Sequence, residues 1–209
     1  SSAASDVYKR QAIGFQALVD LGTAQSDDNV AIGYQAMGGA IGTEVVDDCV
    51  AIGSGALSGA LDSTNGADEA SGTVAIGKSA LATLTSGAGN TAVGYQSLDA
   101  EDAGNYSTAI GYQALSAQNV DGTVGNVAVG EKAMSSVTTG IRNVAIGREA
   151  LVGGSAAATD NVAIGYHALD STGSAAVSKC VAIGYNAMDN ANNTDVDGTV
   201  AIGYDALDA

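Results

Sequence analysis

The sequence predicts an all-β fold: a parallel β-solenoid, or β-roll, of about eleven rungs with 17–24 residues each. The first observation is a nonapeptide, Asn161-Val162-Ala163-Ile164-Gly165-Tyr166-His167-Ala168-Leu169, that returns in near-copy along the chain. Its central glycines are Gly14, Gly33, Gly53, Gly77, Gly94, Gly111, Gly130, Gly147, Gly165, Gly184 and Gly203, spaced 17 to 24 residues apart. The second is the sharpness of the columns obtained by aligning copies on that glycine. The third is the filler between copies, which varies in length and is rich in Asp, Gly, Ser, Thr and Asn. A fixed short motif with variable filler belongs to a stack in which each unit packs only on its neighbours.

Residues 1–10 match the repeat only at their end and are set apart as a non-repeat leader; residues 11–209 form the array. Within each copy the residue two before the glycine is Ala without exception, and the residue one before is Ile or Val. Three before stands Val in eight copies, with Gln11, Thr91 and Thr108 in the others. This Val-Ala-Ile order predicts a strand with Val and Ile on one face and Ala on the other. The glycine turns the chain. Three after it comes Ala, or Ser97 once; four after comes Leu, or Met at Met37, Met134 and Met188.

Helix is the competing reading, since Tyr-Gln-Ala-Leu favours it locally. A glycine in every copy beside β-branched residues weakens it, and the period is too short for helical-hairpin repeats of about 33 residues. Leucine-rich repeats have a suitable length but need more leucines per unit. The filler segments are expected to form turns and loops with a short second strand. The longest precedes the fourth copy, where the rod is expected to bulge.

Register is checked by charge. Glu131 and Arg148 occupy the position after the glycine in consecutive copies, and Lys132 and Glu149 the next one. Stacked in register, each pair places opposite charges about 4.8 Å apart.

Composition narrows the function classes. Seven basic residues against 23 acidic ones give a net charge of −16, which opposes nucleic acid and anionic membrane as partners. No apolar run reaches the roughly 18 to 20 residues of a membrane span. Cys49 and Cys180 share the position four before the glycine, in copies three and ten. Seven rungs separate them, about 34 Å, so an intrachain disulfide is not expected. With no Trp and one Phe, a lone roll is expected to be marginally stable, its buried apolar surface coming from Val, Ile and Leu. The alanine column then faces a close neighbour, either the opposite wall of a thin roll or another chain. Another chain is the preferred reading.

The Asn-Val-Ala-Ile-Gly core at 29–33, 143–147 and 161–165 resembles the head repeats of trimeric autotransporter adhesins. The longer Ala-Ile-Gly-Tyr-Gln-Ala-Leu at 109–115 is similar to repeats of bacteriophage tail-fibre and appendage proteins. The resemblance covers about residues 11 to 209, although adhesin heads use a shorter repeat. It implies a left-handed roll, three chains to a rod, placed outside the cell or on a virion.

Three sets of residues are candidates for chemistry. The position after the glycine holds Phe15, Tyr34, Tyr95, Tyr112, Tyr166, Tyr185 and Tyr204, and elsewhere Ser54, Lys78, Glu131 and Arg148. Tyr166, Tyr185 and Tyr204 are expected to form a continuous three-rung ladder, either an aromatic platform for a cell-surface glycan or protein or a support between rungs. Five after the glycine, Asp170, Asp189 and Asp208 stack, with Asp99 in the same column. Ca2+ would suit such oxygens, but the calcium-solenoid signature is missing, and a solvated acidic face is the favoured account; no other cofactor is expected. His167, the single histidine, is read as a surface residue with no accompanying nucleophile.

An enzyme is not expected. The sequence points to a structural fibre protein, the rigid shaft or head of an extracellular adhesin or phage tail fibre, as a homotrimer. The alternative is a self-assembling extracellular filament subunit that stacks head to tail through uncapped ends.

Overall fold

The computed structural model describes residues 10–19, 27–39, 46–61, 70–152, 157–170, 177–189 and 196–207, and no α-helix occurs among them. Every copy contributes one strand: β1 (Gln11–Ile13), β2 (Val30–Ile32), β3 (Val50–Ile52), β4 (Val74–Ile76) and β5 (Thr91–Val93). After β6 (Gly104–Asn105) follow β7 (Thr108–Ile110), β8 (Gly122–Thr123), β9 (Val127–Val129) and β10 (Val144–Ile146). The last are β11 (Val162–Ile164), β12 (Val181–Ile183) and β13 (Val200–Ile202). Eleven of these form one parallel sheet in chain order, and β6 with β8 forms a second, two-stranded one. A bridge joins Thr159 to Ser178. The fold is therefore the expected β-solenoid, with short second strands in part of the filler.

Register is strict. Ala145 pairs with Ala163, Ala163 with Ala182 and Ala182 with Ala201. It holds whatever the filler length, since β3 and β4 pair in register across a 24-residue spacing and β4 and β5 across 17. The filler before the fourth copy, where a bulge was expected, lies largely outside the described residues, as do residues 1–9 of the leader.

The turn after the strand explains its own residues. Each central glycine from Gly14 to Gly203 has φ between 132° and 141°. A Cβ on Gly165 would sit 2.3 Å from the carbonyl oxygen of Gly184, so a side chain is barred by the rung above as well as by the dihedral. Positions two and four after the glycine then adopt the left-handed conformation: Gln113 has φ 52° and Leu115 φ 52°, His167 51° and Leu169 56°. Every Leu and Met of the second position does the same. This conformation penalises branching at Cβ. The core residue there is therefore Leu or Met and never Ile or Val.

The interior contains the two alanine columns and the Leu/Met column. Here the expectation for the alanines is corrected. Ala31, Ala51, Ala75, Ala92, Ala109, Ala128, Ala145, Ala163 and Ala182 are wholly buried in the single chain. What they face is the interior of their own thin roll, and another chain is not needed to cover them. The expected burial of Val and Ile is corrected too. The strands read half-buried, buried, half-buried, with Ile110 and Ile146 exposed at 40% and 41%. Because successive side chains alternate, sending the methyl group inward sends the branched pair outward.

Candidate interaction surface

The outward face of the long sheet carries positions three and one before the glycine. Across eleven rungs these 22 positions hold Val, Ile, two Thr and Gln11, and not one charge. On a chain of net charge −16, such a strip is conspicuous against the neighbouring columns, which accept Lys, Glu and Arg. At about 4.8 Å per rung the strip is about 50 Å long. With side-chain radii included it is about 14 Å wide, an area on the order of 700 Å2, near the roughly 800 Å2 per partner of a standard interface.

The aromatic column is assembled as stacked rings. Tyr166 lies 5.1 Å from Tyr185, and Tyr185 lies 5.3 Å from Tyr204, centroid to centroid and nearly parallel. Phe15–Tyr34 and Tyr95–Tyr112 form two further pairs. Basic groups cap two of the three stacks: Lys78 lies over Tyr95 at 5.8 Å and Arg148 over Tyr166 at 5.5 Å. Both faces of Tyr95, Tyr166 and Tyr185 are thus occupied by rings or cations, whereas Phe15, Tyr34, Tyr112 and Tyr204 have a ring neighbour on one face. Stacking of this kind supports neighbouring rungs, and a sugar would need one of the remaining faces, of which that of Tyr204, 75% exposed, is the most open. Tyr204 has its hydroxyl pKa raised by the charge of Asp205 beside it.

Of the acidic column, Asp99, Asp170 and Asp189 lie among the described residues. Asp170 Oδ2 lies 3.1 Å from His167 Nδ1, and Asp208 falls outside the described residues. No three His, Cys, Asp or Glu side chains gather to hold a metal among the described residues. Asp189 is half-buried on the next rung. Asp99, in the same column, has its carboxyl pKa raised by burial.

His167 is more engaged than a plain surface residue. Its Nε2 meets Glu149 Oε2 at 2.8 Å one rung back, and its ring stacks on Tyr166 at 4.1 Å. The hydrogen bond from His167 holds the Glu149 carboxyl below its ordinary pKa, helped by the charge of Arg148. Arg148 also reaches Glu131 at 3.6 Å, as the register argument expects. Glu149 is held by Arg148 and His167 rather than by Lys132. A pair missed in the sequence reading is Arg142–Asp160, bidentate at 2.7 and 3.0 Å, in a column five before the glycine.

The position four before the glycine is a buried polar ladder. Asn143 Oδ1 accepts the backbone N–H of Asn161 at 3.0 Å, and Asn161 Oδ1 accepts that of Cys180 at 2.9 Å. The Asn amide donates to a carbonyl three residues before the same position one rung on: Asn143 to Ala158 at 2.7 Å, Asn161 to Val177 at 2.8 Å. In two rungs a thiol replaces that donor, Cys49 Sγ to Ala70 and Cys180 Sγ to Val196, both at 3.0 Å. Both cysteines are buried and free, and burial pushes the Cys49 thiol up to about 11.

A second buried polar group was not visible in the sequence. Glu101 and Gln118, wholly buried, occupy the interior position that Leu84 and Val137 take on neighbouring rungs. Glu101 Oε1 accepts N–H bonds from Asp102, Ala103, Gly104 and Val120 at 2.7–3.4 Å, and Gln118 Nε2 donates to Oε2 at 2.7 Å. All four stand seven after their central glycine, but the residue type at that position changes so much along the chain that the sequence does not mark the clasp.

No protein-family model, curated protein or solved structure matches the chain. No helix among the described residues is long and apolar enough to cross a membrane.

Proposed function

We propose that this chain is a structural fibre protein, the rigid shaft or head of an extracellular adhesin or phage tail fibre, built from three copies and without a catalytic role. The observation that carries the reading is the uncharged Val/Ile strip on the outside of a strongly acidic roll. Such a strip favours association. A partner has to present apolar side chains at the same rung spacing for its full length, and another copy of this chain does so. The number three and the left hand come from the resemblance of the repeats. Backbone ladders give stiffness, and the remaining outward columns and the filler are left to display contacts toward a surface glycan or protein.

The test is mass and length together, by light scattering and negative-stain imaging over a concentration series. A constant three-chain mass with rods of about 50 Å per eleven rungs is the expected result. A monomer at all concentrations overturns association, and fibres that lengthen with concentration replace the finite rod by the head-to-tail filament.

A further inference from the structure

A strip made of identical rungs has a defect as an interface: two copies can slide by one rung and lose almost nothing. Val, Ile and the 4.8 Å step repeat, so each shifted alignment buries nearly the same apolar area. A fibre of defined ends needs something in the strip that breaks the repetition.

Two consecutive rungs do so. In the Val column, Thr91 and Thr108 stand side by side, paired in register, with Val74 before them and Val127 after. Both are half-buried on the outward face of β5 and β7. Neither hydroxyl has a hydrogen-bond partner within its own chain among the described residues. The strand loses nothing in β propensity by the exchange, since Thr is β-branched like Val. What changes is one hydroxyl per rung on a face that, beyond Gln11 of the first rung, is otherwise apolar.

We infer that Thr91 and Thr108 set the axial register between copies by pairing their hydroxyls with the same residues of a neighbouring copy. This rests on the reading of the Val/Ile strip as a contact between copies. In register, Thr faces Thr and each hydroxyl finds a donor or acceptor. Shifted by one rung, at least one hydroxyl faces Val and is desolvated without a partner, which is penalised. A single polar residue in an apolar seam fixes register in helical assemblies by the same physics. Parallel alignment is the arrangement that matches all eleven rungs together with the notch.

The experiment uses the full chain with Cys49→Asn and Cys180→Asn, which leaves no native thiol. Two single-cysteine variants are then made on the strip, Ile164→Cys and Ile183→Cys, on adjacent rungs. They are co-refolded one to one, oxidised, and the disulfides identified by mass spectrometry. With Thr91 and Thr108 present, self-links at each position should exceed the mixed 164–183 link by at least about tenfold, because a disulfide requires Cα atoms within about 7 Å. With Thr91→Val and Thr108→Val, the mixed link should rise to the level of the self-links while the association state is unchanged.

A mixed link that is already abundant with both threonines present, or one that stays rare after their replacement, overturns the register assignment. Absence of self-links at either position overturns it as well. Light scattering on the same samples separates the two failures: a monomeric chain removes the underlying association, whereas an oligomer with unaltered linkage removes the role of the threonines alone.

Discussion

Single positions in this roll are chosen by dihedral angle as much as by polarity. Leu115 is wholly buried at φ 52°, and a Cβ-branched residue is strained in that conformation. Leu115→Ile should therefore lower stability by about 2 kcal/mol, whereas Leu115→Met, already present in other rungs, should lower it by less than about 1.5 kcal/mol. Urea denaturation of the two variants measures the difference, and equal losses would contradict the argument. The cysteines make a second case. Burial raises both thiol pKa values, and each sulfur donates to a carbonyl of the next rung. Neither should react with a maleimide at pH 8 in the folded chain, and both should react in denaturant.

At the scale of the rung, stability rests on ladders that pass through the turn as well as the strand. Asn143 links three rungs through its side chain, donating to Asn126 Oδ1 and the Ala158 carbonyl and accepting from the Asn161 N–H. Asn143→Ala should cost about 3 kcal/mol, because it orphans the buried Asn161 N–H and Ala158 carbonyl together; a loss below about 1 kcal/mol would show water taking over. The charge ladders respond to pH with a definite sign. Arg142, through its hydrogen bonds to Asp160, holds that carboxyl below its ordinary range. A carboxylate with a depressed folded-state pKa stabilises above its unfolded value of about 4 and loses that contribution as pH falls through the folded value. Asp160→Asn should thus lower Tm at pH 7, and the gap from the parent chain should close as the solution is acidified below about pH 4. A gap independent of pH would assign the effect to packing.

The strand positions, the turning glycine and the register of Glu131 against Arg148 were legible in the sequence, because each is a column repeated with little variation. Which face of Val-Ala-Ile points inward was not. Periodicity separates two faces without saying which is the core, and the larger side chains suggested the wrong one. The interior is filled by the Leu and Met column and the alanines, and the strand contributes only its methyl group to it. Glu101, Gln118 and Arg142 were hidden for a different reason. They lie outside the repeated nonapeptide, Glu101 and Gln118 seven after the glycine and Arg142 five before it, at positions whose residue type changes from rung to rung, so no repeated pattern marks them.

For the whole molecule, the consequence of that inversion is a rod with its apolar strip outside. Ile146→Glu together with Ile183→Glu places charges on the strip without touching the interior. The variant should keep the circular-dichroism spectrum and Tm of the isolated chain but fail to associate, by light scattering. Loss of folding instead would indicate that association and folding are one event in this protein.

Strict register across filler of any length also makes the rod divisible. Residues 147–164 span one period between Gly147 and Gly165, so removing them joins Ile146 to a glycine in the same structural position that it held before. Recombination between copies of the repeat in the gene would add or delete such periods cleanly, leaving every joint intact. The length of such a solenoid can therefore be inherited in whole steps, like links in a chain, while the filler of each link diverges at its own pace.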